Sequence, residues 1–129
     1  MTSRTFIHAA LSFLLLLATG LPLRAATAPA AEKSKIEALI AHIEGLPGAT
    51  FVRNGSDYNA ATAAKFLRGK WQSNDKDIKT ASDFIAKAAT VSSTTGKPYQ
   101  IRLKDGSVTP CGEYLSAQLK KLEAAAAAK

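Results

Sequence analysis

Thr50-Phe51-Val52-Arg53-Asn54-Gly55-Ser56-Asp57-Tyr58 is the stretch on which the fold turns. Its β-formers flank Asn-Gly, the dipeptide best able to hold two successive positive φ angles, so it predicts a hairpin closed by a type I′ turn. Later in the chain Tyr99-Gln100-Ile101-Arg102-Leu103 alternates with period two, and Lys104-Asp105-Gly106-Ser107 supplies a second tight turn before Val108. A second hairpin is expected there. Each hairpin precedes a helical pattern, and the two turns lie about fifty residues apart, which suggests a duplicated ββα unit. Ala60 and Cys111 are then equivalent positions.

Outward from the hairpins, the spacing calls for helices. Ile36, Leu39, Ile40, Ile43 and Leu46 recur on one helical face until Pro47-Gly48 stops the run. Ala60 to about Trp71 forms a second helix with Ala63, Phe66, Leu67 and Trp71 on its apolar side. Thr80-Ala81-Ser82-Asp83 has the form of a capping box and opens a third, running to about Val91. Thr109-Pro110 reads as an N-cap followed by proline in the first helical position, with Tyr114, Leu115, Leu119 and Leu122 carrying the fourth. The expected fold is α+β: two short hairpins paired in a small antiparallel sheet, packed with about four helices.

The first 25 residues have the layout of a cleaved secretory signal: Arg4, then an apolar run from Ala9 to Ala18, then Gly20, Pro22 and small residues. The run is shorter than the roughly 20 residues that cross a bilayer, so no membrane span is expected after cleavage. Residues 26–31 read as a flexible Ala/Pro linker, 32–123 as one domain, and 124–129 as a frayed Ala-rich tail. The predicted location is the periplasm or the exterior. The chain's formal charge of +7 falls by two if Arg4 and Arg24 leave with the leader. A basic surface outside the cytoplasm favours an anionic envelope component or an acidic protein over nucleic acid.

Phe51-Val52-Arg53-Asn54-Gly55, Tyr58, Phe66-Leu67, Lys70, Thr80-Ala81, Phe84-Ile85, Ser92-Ser93 and Thr95-Gly96-Lys97-Pro98-Tyr99 together resemble the YfeK-like family of small secreted bacterial proteins. The likeness covers nearly the whole expected domain. It implies an exported single-domain protein and carries no established activity.

Few residues offer chemistry. Cys111 is the only cysteine, so no intramolecular disulfide is available, and burial as a small apolar side chain is its expected state. At a helix N-terminus its thiol is also a conceivable nucleophile, with His42 the only imidazole beyond the leader. One His and one Cys do not make a structural zinc site, no acidic loop has calcium spacing, and no cofactor is expected. Val91 and Pro98 stand where a phosphate-binding loop around Thr95-Gly96-Lys97 needs glycine and a hydroxyl residue, which excludes nucleotide binding. Paired hairpins would join Arg53 and Asn54 to Lys97, Tyr99 and Arg102, giving a basic face with a guanidinium fork and a tyrosine ring. A non-enzymatic module binding an anionic envelope component or a protein partner is the leading expectation. The alternatives are a small hydrolase using Cys111 or a carboxylate pair such as Asp57 and Glu113, and an inhibitor-like accessory.

Overall fold

The computed structural model describes residues 29–128. The expected leader and residues 26–28 of the expected linker lie outside them. Four helices and four strands follow in the order α1 (Ala30–Glu44), β1 (Thr50–Arg53), β2 (Ser56–Asn59), α2 (Ala60–Ser73), α3 (Ala81–Ala88), β3 (Gln100–Arg102), β4 (Val108–Pro110) and α4 (Cys111–Ala127). The pattern helix, hairpin, helix thus occurs twice, and Ala60 and Cys111 each open the helix that follows a hairpin. The chain is a small α+β fold.

The strands form one antiparallel sheet in the order β2-β1-β3-β4. Asn54 (φ 51°) and Gly55 (φ 81°) make the first hairpin's turn, the geometry that only small or amide side chains adopt cheaply. The second hairpin is looser: Leu103 N–H donates to the Ser107 carbonyl and Gly106 N–H to Leu103, with Gly106 at φ 91°. The two hairpins join through β1 and β3, with Phe51 opposite Ile101. Both of these are buried, so by alternation Thr50, Val52, Asp57, Gln100 and Arg102 take the other, solvent-facing side. Helices cover one face only. α2 packs on β1 and β2, α4 packs on β3 and β4, and α1 and α3 pack on those two helices.

The core gathers Ile36, Leu39, Ile40, Leu67, Phe84, Tyr99, Ile101 and Leu115, all essentially inaccessible. Thr80 caps α3 as expected: its Oγ1 accepts from Asp83 N–H, while the Asp83 carboxylate accepts from the backbone N–H groups of Thr80 and Lys79. The next N–H of α3, on Ala81, donates to Glu32 across from α1 at 2.8 Å. That bond, with the Lys35 ion pair, holds the Glu32 pKa below its ordinary value. A carboxylate at a helix N-terminus is well placed against the dipole.

Several boundaries differ from the sequence reading. Ala30 and Ala31 belong to α1, because the Pro29 carbonyl accepts from Glu32 and Lys33 and starts the helix there. α3 ends at Ala88, short of the expected end near Val91; beyond it Thr90 turns its hydroxyl back onto the Ile85 carbonyl at 2.6 Å, and Val91 is 40% exposed and bridges to Pro98. Thr109 is not the N-cap of α4. It pairs with Ile101 in β4, and Cys111 N–H donates to the Tyr99 carbonyl, so the sheet holds the chain one residue longer than the Thr-Pro signal implies. The alanines from Ala124 continue α4 through Ala127, in keeping with the high helix propensity of alanine.

Candidate functional site

Arg53 shares its strand parity with Phe51, so it projects toward the helices at the open end of β1. Its guanidinium lies over the Phe66 ring of α2, 4.6 Å from the centroid. Lys70 sits one turn further along the same helix. Its ammonium is 5.8 Å from the Phe66 centroid and 5.2 Å from that of Tyr99, and it donates to the Tyr99 hydroxyl at 3.1 Å. Beneath the two cations Phe51, Phe66 and Tyr99 form an aromatic trio with centroids 5.3 to 6.0 Å apart. Each cation gains from the negative faces of these rings, by roughly 0.5–2 kcal/mol.

The charge at this end is uncompensated. Lys35, Arg68 and Arg102 all hold carboxylates, whereas Arg53 and Lys70 hold none among the described residues. Arg53 Nε is buried with no hydrogen-bond partner there.

The loop 92–97 is built onto the first hairpin turn. Ser92 is 2% exposed, and its Oγ accepts from Asn54 Nδ2 and from the backbone N–H groups of Thr94 and Thr95, at 3.2, 3.2 and 3.3 Å. Thr95 Oγ1 donates to Asn54 Oδ1 at 2.6 Å and accepts from Lys97 N–H at 3.2 Å. Asn54 thus clamps the loop with both ends of its amide. Lys97 is exposed on that loop.

Of the five residues predicted for a binding face, Arg53, Asn54 and Lys97 therefore belong to one end of the molecule. Tyr99 reaches the same end but as core: it is 1% exposed, and it meets Lys70 through its hydroxyl and its ring. Arg102 is elsewhere. It lies on the solvent-facing side of the sheet and donates to Asp57 at 3.1 Å. Sequence reading missed Phe66 and Lys70 as partners of Arg53, although their i, i+4 spacing places them on one helix face.

The groups a hydrolase would need are dispersed. Cys111 is fully buried, and burial pushes its thiol from 9.0 up to about 12. His42 instead meets Tyr114 Oη at 2.7 Å between α1 and α4, with burial and then Lys121 lowering its pKa. Asp57 is on the bare side of the sheet. Glu113 lines a groove of about 940 Å³ between α3 and α4, with Ile85, Val91 and Pro98. No group of three or more metal-binding side chains occurs among the described residues. None of the described helices is long and apolar enough to cross a membrane.

The thiol gives a direct prediction. Burial both disfavours the thiolate and shields the sulfur from reagent, so Cys111 should alkylate with iodoacetamide at least about a hundredfold slower in the folded chain than in urea. Mass-shift labelling reads this, and comparable rates in the two states would contradict the burial. The same elevation means the contribution of the neutral thiol to stability is intact below pH 9.0 and is lost as pH climbs toward about 12.

Residues 30–123 match the model of a family of unknown function, DUF5329. Over 68 residues the chain is 41% identical to the uncharacterized protein YfeK of Salmonella typhimurium, covering 53% of this chain and 57% of that relative. No solved structure matches.

Proposed function

The chain belongs to the DUF5329 family of unknown function, and from that premise we propose that it is an exported, non-enzymatic binding module that captures an anionic envelope component or acidic protein partner. The capturing end carries Arg53, Lys70 and Lys97. One observation carries the reading: Arg53 and Lys70 share the Phe66 ring and neither has a carboxylate partner among the described residues. A guanidinium seated over a ring has less freedom to lose, so an incoming anion meets it at a reduced entropic cost. The expectation of export rests on the signal-like layout of residues 1–25 and places the module in the periplasm or outside the cell. The hydrolase alternative has less in its favour, since Cys111 is buried and Asp57 and Glu113 lie on separate faces.

The test is cross-linked capture from intact envelope with three proteins. These are the unaltered chain, an Arg53→Glu/Lys70→Glu variant, and a Lys33→Glu/Lys65→Glu variant of the same net charge. An anionic component should be enriched by the first and third and lost, at least tenfold, from the second. Equal loss in both variants would reduce the effect to bulk charge and overturn the proposal.

A further inference from the structure

We infer that the groove between α3 and α4 is a self-association surface, in which α4 of a second copy of the chain lies antiparallel to α4 of the first. The inference is independent of the capturing end around Arg53. The groove is about 940 Å³, and Ile85, Val91, Pro98 and Leu119 are among its apolar walls. Val91 is one of two large apolar side chains left widely open among the described residues.

The charges on the groove point to a second copy as its occupant. A basic chain repels its own copies over most of its surface, so self-association needs a face that is electrically balanced. This groove is such a face. Of its charged lining residues, Glu113 and Lys120 offset each other and Glu123 is held by Lys35. Glu113 and Lys120 are exposed, and neither has an ion-pair partner among the described residues. They stand seven residues apart on α4, just under two turns, so they leave the helix on the same side, with Ser116 and Ala117 midway between them. A two-fold axis through that midpoint sets each Glu113 level with the partner's Lys120, and each Lys120 level with the partner's Glu113. Symmetric contacts require this self-complementarity, whereas a partner of different sequence would not. The small side chains at the midpoint let the two helix axes approach to about 8 Å. Gly112 meets Thr90, so the start of α4 lies beside Val91. The same axis carries the partner's Ala124 past that start, toward the end of the groove where Val91, Pro98 and Pro110 stand. The exposed alanines that close α4 thereby gain apolar surface to cover.

Sedimentation equilibrium of the full chain, at concentrations up to about 1 mM, tests this. The unaltered chain should dimerise. Glu113→Lys and Lys120→Glu should each weaken the dimer at least about tenfold, because each sets like charges against each other at both ends of the contact. An equal mixture of the two variants should dimerise again, since one then carries only cations at the two positions and the other only carboxylates. The double exchange Glu113→Lys/Lys120→Glu should also dimerise as the unaltered chain does. Recovery in the mixture would also show that neither single change had damaged the fold. A monomer at every concentration, a dimer that survives either single change, or failure of the mixture or of the double exchange to restore association would overturn the inference.

Discussion

Truncating Tyr99 to alanine is expected to lower the melting temperature by roughly 15–30 °C, the largest effect of any single change near the candidate site. Its ring is inaccessible and touches both Phe51 and Phe66, so removal leaves an aromatic-sized void and costs about 3–5 kcal/mol. Net stabilities of domains this size are about 5–15 kcal/mol, so a large share disappears. Tyr99→Phe separates the ring from its hydroxyl. Only the bond from Lys70 is lost, and about 1 kcal/mol should go with it. Thermal melts of the two variants decide the residue's role: a Tyr99→Ala protein within about 1 kcal/mol of the unaltered chain would mean the ring is not core after all.

Gly112→Ala should destabilise the chain by about 1–3 kcal/mol, against the ordinary preference of helices for alanine. A Cβ at this position in the first turn of α4 would meet Thr90 Oγ1 at 2.8 Å and Thr90 Cγ2 at 3.3 Å. The threonine is not free to swing aside, because its hydroxyl is bonded to the Ile85 carbonyl and its own carbonyl accepts from Tyr99 N–H. A double-mutant cycle gives the sharper readout. In a Thr90→Ala background the clash is gone and Gly112→Ala should become neutral or stabilising by up to about 1 kcal/mol. Chemical denaturation of the four proteins measures the reversal of sign, and additive effects would refute close packing as the reason for glycine at 112.

Much of the fold was legible because its signals are local. Asn54-Gly55 specifies its turn without help from elsewhere, the Ile36 to Ile43 stripe identifies its buried face, and Thr80 with Asp83 makes the expected box. Thr109-Pro110 misled for the complementary reason. The local rule favours a helix start, but pairing with β3 overrides it.

The site was only half legible. Tyr99, Ile101 and Leu103 share one parity and Gln100 and Arg102 the other, so the alternation already separates Arg102 from Tyr99. Grouping them as one face ignored that parity. What no spacing could supply is the packing of α2 across β1 and β2, which brings Phe66 and Lys70 beneath and beside Arg53.

The pairing of β1 with β3 has a consequence in time. Each hairpin joins residues close in sequence and can close within microseconds on its own. The seam between them joins Phe51 to Ile101, about fifty positions apart, and must first overcome the entropy of closing the intervening chain. That closure is one of the slow, non-local steps of folding, and the aromatic trio, whose Phe51 and Tyr99 come from opposite sides of the seam, is finished only when it occurs. The cations of the candidate site gain their full platform only after that closure, so a chain with the seam still open carries the charges without the surface that orients them.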